Sequence, residues 1–388
     1  MAHVYGIDES AAKLAATAAA IAREVLAPNA ADVDEKGRFP SEAIAALGKQ
    51  GFLGLLVPES EGGLGQGPRA FAAVVEELAT GCASTAMVYV MHVAGQQAIS
   101  SAAALAGKSD LLKQIAAGNH LTTLALSEKG SRSHFWAPVS GMREDGHGYV
   151  TSAHKSWVTS ANHADSYVSS AQKPGAASPL ESTIYLVRKS DKGVKVNGRF
   201  EGLGLRGNDS APVELDGVTI PKGNLVSNLG EGAKTMLEVV LPWFSMGTAA
   251  MANGLCRAAV ALTAKHLQDG RFEHLGQSLR DLPTLRARLA QMSVRTEQAR
   301  CLLGYTLGEV EAPSETTPLF VLQARLASLE AAVDVTDLAM KTCGGAAFSR
   351  QLPLERTFRD ARAGWVMAPT VDHLQDFIGK ALTGLPLF

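Results

Sequence analysis

The chain has 388 residues, enough for two or three domains and a large buried core. A hydrophobic fraction of 46% with 19% charged residues is ordinary for a water-soluble globular protein. The formal net charge of -2 argues against a nucleic-acid binder, which needs a basic face.

In chain order, residues 8 to about 120 are rich in Ala and Leu at helical spacing, with Leu14, Ala18, Ile21 and Val25 on one face. Met1 to Ala12 lacks the basic-then-apolar build of a secretory signal. A Gly-rich loop, Glu59 to Gly67, interrupts the helical pattern, which resumes from Phe71 to Leu78. This predicts an N-terminal α-helical domain, 1–120.

Residues 121–228 read as a middle β domain. Ser182 to Arg188 alternates around Ile184 and Leu186, and Lys173 to Ser182 reads as an exposed loop. Val213 to Ile220 predicts a hairpin turning at Asp216-Gly217.

Residues 229–388 predict a C-terminal helical bundle. The apolar window Val239 to Cys256 contains Pro242 and Asn253, which points to a buried helix rather than a membrane span. Leu285, Leu289 and Met292 begin one amphipathic helix; Leu319, Leu322, Leu326, Leu329 and Val333 mark another. Turn chemistry at 311–315 predicts that these two run antiparallel. Cys82, Cys256, Cys301 and Cys343 show no Cys-x-x-Cys spacing. Scattered thiols of this kind fit apolar packing in a reducing cytoplasm. No His-Glu-x-x-His or other metal spacing is present, so no metal site is expected, and no Gly-x-Ser-x-Gly nucleophile elbow is present either.

Gly202-Leu203-Gly204-Leu205-Arg206-Gly207 has dinucleotide-loop spacing, but a loop and then a strand follow it, where a Rossmann site needs a helix. Four other segments, in order, carry a resemblance. They are Ala125-Leu126-Ser127-Glu128-Lys129-Gly130-Ser131-Arg132-Ser133-His134, Lys155-Ser156-Trp157-Val158-Thr159-Ser160-Ala161, Lys341-Thr342-Cys343-Gly344-Gly345, and the run from Arg359-Asp360-Ala361-Arg362 to Ala368-Pro369-Thr370. Together they resemble the signatures of the acyl-CoA dehydrogenase family, and the Gly-rich string resembles a Gly-x-Arg-Gly segment of its middle domain.

The resemblance implies an α+β fold: an N-terminal helical domain, a middle β-barrel-like domain and a C-terminal helical bundle. It implies FAD as cofactor, a homotetramer or homodimer, and an active site between the middle and C-terminal domains. By the same resemblance Leu126, Ser127 and Ser133 contact FAD or substrate, Trp157 packs on the isoalloxazine, and Thr159 bonds near the flavin's reactive nitrogen. Lys341, Gly344 and Gly345 meet the FAD of a neighbouring subunit, Thr370 is another FAD contact, and Arg271 contacts FAD across the interface. The Arg271 to Gly276 spacing is one residue longer than the family's. For Trp157 the other reading is sheet core or sheet surface.

The departures fall on the ligand side. The family's usual base is a Glu at the position of Ala368. A second home for the base, on another helix, is occupied by Phe244. Pro242 and Ser245 stand where an Asp and an Arg help to seat CoA. Lys129, Arg132 and His134 replace Pro, Gly and Asp and offer cationic groups to an anionic substrate, or form a solvated loop. Tyr89, His92, Trp243 and Phe244 are candidates for the substrate pocket. Trp243 and Phe244 read equally as helix core.

His92 and Asp372 are the remaining candidates for a displaced base, although a lone His on an apolar helix is more often a hydrogen-bonded core residue. A flavin cradle without its carboxylate favours an oxygen-using flavoenzyme, with O2 and an external reductant or electron acceptor as partners and an acyl thioester, with CoA, as substrate. The alternatives are dehydrogenation with a displaced base, redox-neutral elimination or desulfination of a CoA ester, and a flavin-binding protein without turnover.

Overall fold

The computed structural model describes residues 3–387; Met1, Ala2 and Phe388, which fall in the terminal segments read above, lie outside the described residues. The chain opens with α1 (Glu9–Ile21), α2 (Ala27–Lys36), α3 (Ser41–Lys49), α4 (Pro68–Gly81), α5 (Ala83–Ser101) and α6 (Lys108–Ala116). Asp8 starts α1 by accepting the Ala11 N–H at 2.7 Å, which satisfies one of the free amide donors at a helix start. Buried Ala11, Ala15, Ala18 and Ile21 form its inner face. α5 is buried on nearly every side from Ala83 to Ile99, as expected of a helix that is apolar all round.

Seven strands follow: β1 (Thr122–Ala125), β2 (Met142–Asp145), β3 (Gly148–Val158), β4 (Ser166–Gln172), β5 (Ser182–Arg188), β6 (Val194–Val196) and β7 (Ala211–Pro221). They form two sheets, ordered β1-β4-β5 and β2-β3-β7-β6. β5 is buried on both faces, so its alternation separates two cores rather than core from solvent. Ile184 and Leu186 join the helical core, while Tyr185 and Val187 join a second core with Val158, Tyr167, Leu215 and Ile220.

The hairpin predicted at Asp216-Gly217 is absent. β7 runs through, pairing Leu215 with Ala153 and Val218 with Thr151 on β3. One extra residue on β7 makes a bulge, with Gly217 at φ 59 and its N–H donating to Ser152 Oγ at 2.9 Å. Asp-Gly supplies positive φ to a bulge as readily as to a turn, and the neighbouring strand decides which forms.

Helices then return: α7 (Gly232–Thr235), α8 (Leu241–Asp269), a small hairpin of β8 (Arg271–Phe272) and β9 (Gln277–Ser278), α9 (Pro283–Glu311) and α10 (Thr317–Cys343). The chain ends with α11 (Gly345–Phe348), α12 (Leu354–Ala361), α13 (Ala363–Val366) and α14 (Val371–Thr383). The segment Gly232–Asp269 is long and apolar enough to cross a membrane, but 78% of its most apolar window is buried within the protein. Cys82, Cys256 and Cys343 are buried free thiols and Cys301 is exposed.

No helix follows the Gly-x-Gly-x-x-Gly string. It lies in a loop ahead of β7, wedged against α2 and α12: a Cβ on Gly204 would run into the Arg359 carbonyl, and one on Gly207 into Val33. These glycines serve close approach between domains. Arg359, at the end of α12, completes the junction. Its Nη1 donates to Asp34 Oδ1 at 2.9 Å and to the Leu203 carbonyl at 3.0 Å. Neighbouring Asp360 accepts the Leu205 N–H at 2.6 Å. The Arg-Asp pair of the C-terminal signature thus ties the C-terminal domain to both others.

Burial pushes the Asp360 carboxyl up to about 7; the Leu205 N–H opposes this and the Asp34 charge adds to it. A carboxyl raised on folding adds stability below its unfolded value and loses it as pH rises through the folded value. Each pH unit between the two is worth about 1.36 kcal/mol. Asp360→Asn keeps an acceptor without the charge. Its stability relative to wild type is expected to rise between pH 4 and 7, on the order of 3 kcal/mol in all. Chemical denaturation of both proteins across that range measures the difference.

Candidate active site between the middle and C-terminal domains

The loop after β1 and the end of β3 pair as a short ladder. Ser156 N–H donates to the Ser127 carbonyl at 2.8 Å, and Lys129 N–H to the His154 carbonyl at 3.1 Å. Between them Lys155 Nζ donates to Glu128 Oε1 at 2.6 Å and to the Ser170 carbonyl at 2.6 Å, with both side chains buried. Glu128 Oε2 also accepts the N–H groups of Val139 and Ser140, at 2.7 and 2.8 Å. Burial pushes the Glu128 carboxyl up, but the Lys155 charge and these donors outweigh it and hold it below the usual range. Burial lowers the basicity of Lys155 and the Glu128 charge opposes this; the pair fixes two signature segments to one another. Both residues were visible inside the motifs, yet nothing in their 27-residue separation shows that they meet.

Beyond the pair the strand bends. Trp157 has φ 56 and Ser160 φ 58, where β3 shifts register against β7. A left-handed Trp is a backbone outlier. Here it turns the ring outward, 71% exposed, with Phe200 edge-on at 6.3 Å between centroids. Trp157 is therefore not sheet core. Thr159 is buried, its hydroxyl 3.2 Å from that of Ser210. Leu126 is buried, Ser127 and Ser133 are half-buried, and Lys129, Arg132 and His134 are exposed.

The same loop reaches the C-terminal domain. The His134 ring lies 5.1 Å from that of His373, in the first turn of α14. Trp136 lies 6.2 Å from His373 and 5.6 Å from Phe377. Thr370 caps α14, and its hydroxyl is 3.2 Å from His373 Nδ1. Burial and the neighbouring His134 lower the basicity of His373. His373 was not picked out from sequence, although its place three residues after Thr370, on one helical face, was a usable signal. Asp372 is exposed.

Ala368 and Met367 are half-buried at the turn between α13 and α14, and Phe244 is half-buried in the first turn of α8. Arg325 of α10 joins these two places: its Nη2 donates to the Met367 carbonyl at 3.0 Å, and its guanidinium lies over the Phe244 ring at 4.8 Å. Trp243 packs edge-on against Phe71 at 5.7 Å, within the helical core.

Two expectations are corrected. His92 is fully buried; its Nδ1 accepts the Thr122 N–H at 3.1 Å, which leaves Nε2–H to donate to the Leu53 carbonyl at 2.9 Å. Burial drives it down to about 4, so both nitrogens are committed and neither serves as a base. Tyr89 is likewise enclosed, donating to the Phe52 carbonyl at 2.9 Å. These are core residues rather than pocket walls. Arg271, on the β8–β9 hairpin, is exposed, as are Lys341, Gly344 and Gly345. Gly344 has φ 55, and a Cβ on Gly344 or Gly345 would meet nothing within 4 Å. A separate groove lined by Asp34, Arg257, Arg350 and Asp360 contains none of the predicted site residues.

A helical, β, helical chain with its signature loops paired at one domain junction defines a class. Residues 8–119, 123–218 and 230–382 match the N-terminal, middle and C-terminal domains of acyl-CoA dehydrogenase. The chain belongs to the acyl-CoA dehydrogenase family. It is 27% identical over 382 residues to a probable acyl-CoA dehydrogenase of Mycobacterium leprae, covering 98% of this chain and 97% of that one. Its fold matches butyryl-CoA dehydrogenase from Megasphaera elsdenii with a TM-score of 0.92 at 22% identity, over 97% of this chain and 99% of that one. It matches the FAD complex of PigA with a TM-score of 0.89 at 19% identity, over 97% and 98%.

Proposed function

We propose that the chain is a FAD-dependent oxidoreductase acting on an acyl thioester, with CoA as carrier, and that it works as an oxygenase rather than as an α,β-desaturase. The observation that carries this reading is the apolar character of both base positions, Ala368 and Phe244, beside signature loops held in place by Glu128 and Lys155. FAD would supply two-electron chemistry and, once reduced, reactivity toward O2.

The residues present fit that cofactor. Trp157 offers an exposed aromatic face, and Thr159, two residues on, is buried with its hydroxyl against that of Ser210. Gly345 has no neighbour that requires a glycine, which leaves room for a group from outside the chain; exposed Lys341 is a cation for a phosphate. In this reading Arg271, Lys341, Gly344 and Gly345 meet the FAD of a second copy in a homotetramer or homodimer. Phe348, 87% exposed beside those glycines, is then covered by that copy. Arg132 and His134 hold the anionic carrier.

Purified protein is expected to carry about one FAD per chain and to consume O2 when substrate and an external reductant are added. Trp157→Ala is expected to lose FAD at least tenfold more readily while the apoprotein melts as wild type, because the exposed ring contributes little to the fold. A colourless protein that takes up no FAD overturns the reading.

The second reading, dehydrogenation with a displaced base, has one observation in its favour. His373 stands next to His134 with its Nδ1 held by Thr370, in the first turn after the Ala368 position.

A further inference from the structure

Arg325 is the most anomalous side chain in the protein. It is fully buried in α10, yet its Nε and Nη1 have no hydrogen-bond partner, and Nη2 alone reaches an acceptor, the Met367 carbonyl. Desolvation is the one influence on its basicity, with no carboxylate acting on it, and burial brings it down to about 9, so it is charged at neutral pH. Buried arginines are ordinarily paired, because a guanidinium stripped of water needs a counter-charge or a full set of acceptors. The Phe244 ring at 4.8 Å gives a cation–π contact and accepts no N–H hydrogen bond in the guanidinium plane. Two more buried hydroxyls lack partners here: Ser245, next after Phe244, and Ser328, three residues beyond Arg325 on its own helix. Among the described residues, the two free N–H groups of Arg325 and these two hydroxyls are left without partners.

The position of Arg325 gives these free groups a meaning. The guanidinium bridges the two places where a catalytic carboxylate could stand, the Met367–Ala368 turn and the Phe244 helix turn. Both places are partly open, while Arg325 lies behind them. The half-buried Phe244 ring is the side chain that lies over the guanidinium. An acidic residue at either place would pair with Arg325 and be a weakened base. Without one, the complementary charge has to come from the ligand.

We infer that Arg325 is an anion-recognition site at the floor of the acyl pocket, and that the substrate's acyl group carries a carboxylate that pairs with it. This rests on the reading of the space between Phe244 and Ala368 as the acyl pocket. Charge-assisted pairing of a desolvated carboxylate with arginine is strong and directional. It makes the pocket selective against neutral acyl chains of the same length, whose binding leaves the guanidinium unpaired.

The test is titration of FAD-loaded protein, followed by the shift of the flavin absorbance, with matched CoA thioesters. Malonyl-, succinyl- and glutaryl-CoA are set against propionyl-, butyryl- and pentanoyl-CoA, each pair differing by a carboxylate in place of the terminal methyl. At least one carboxylated member is expected to bind tenfold or more tighter than its neutral partner. Arg325→Met is expected to erase that preference and to keep the affinity for the neutral member. Arg325→Lys, which keeps the charge and guards against a folding defect in the first variant, is expected to retain part of the preference. Equal or tighter binding of all neutral members overturns the inference, as does a preference that survives in Arg325→Met or vanishes in Arg325→Lys. If no thioester of either kind perturbs the flavin, the acyl-pocket reading itself fails and takes the inference with it. Preference for the neutral chains leaves that reading standing and removes only the role of Arg325.

Discussion

Anaerobic mixing of the FAD-loaded protein with butyryl-CoA or a longer saturated acyl-CoA is expected to leave the flavin yellow. Loss of a general base costs about 10²–10⁴-fold, and at Ala368 and Phe244 neither side chain can take a proton from a substrate carbon. Stopped-flow absorbance at the flavin band measures the rate directly. Ala368→Glu restores a carboxylate at the turn whose Met367 carbonyl already holds Arg325. It is expected to raise the rate of bleaching by about 10²-fold, short of the full 10⁴. The shortfall has a cause: a carboxylate beside a buried guanidinium is held ionised and weakly basic. Rapid bleaching of the wild type by plain acyl-CoA would instead favour a displaced base. His373→Gln would then be the variant to compare, since His92 has both nitrogens committed and Asp372 faces solvent.

Much of the architecture is legible in the sequence, because long helices repeat their pattern many times. The seam residues Leu322 and Leu329 are buried on α10, and Met292 is buried on α9, as their spacing predicts. The order of helical, β and helical zones was legible for the same reason. What failed was local signals with two outcomes. Asp216-Gly217 allows a turn or a bulge, and β3 decides. The glycines from 202 to 207 permit close approach, but whether to a pyrophosphate or to Arg359 and Val33 depends on residues more than a hundred positions away.

The site divides along the same line. Ala368 and Phe244 are read as base positions from motif frames alone, and the structure adds that both are half-buried and joined through Arg325. The partners of His92, Leu53 and Thr122, come from other elements, so its role as a core hydrogen-bonding group was no more than one of two readings. Arg325 looked like any charged residue on a helix, and only the packing of α10 against α8 and the Met367 turn shows it to be buried and unmatched. Polar groups of this kind are set by contacts distant in sequence, which periodicity does not encode.

The other large effect is expected at Glu128 and Lys155. Removing one member of a buried ion pair leaves an uncompensated charge and typically costs about 3–5 kcal/mol. Lys155→Met strands the Glu128 carboxylate, which keeps the Val139 and Ser140 N–H donors but loses its counter-ion. Glu128→Gln strands the Lys155 ammonium, which keeps the Ser170 carbonyl. Each single variant is therefore expected to lose on the order of 3–5 kcal/mol in chemical denaturation, with Lys155→Met the worse. Replacing both residues by apolar ones of similar volume, Glu128→Met with Lys155→Met, is expected to regain part of that loss, since it removes the charge desolvation together with the attraction but leaves the Val139 and Ser140 N–H groups and the Ser170 carbonyl without these partners.

FAD retention is expected to behave differently. The pair holds the 127–134 loop against the strand that carries Trp157 and Thr159, and its bonds to Val139 and Ser140 fix the far end of the same loop. A double variant that is stable but has no charged anchor leaves that loop with only its two backbone rungs, Ser156 to Ser127 and Lys129 to His154. It should melt well above either single variant and still release FAD more readily than wild type. Parallel measurement of denaturation midpoint and flavin stoichiometry separates the two roles. If stability and FAD content recover together in the double variant, the pair serves the fold alone and the loop needs no charged anchor to hold the cofactor.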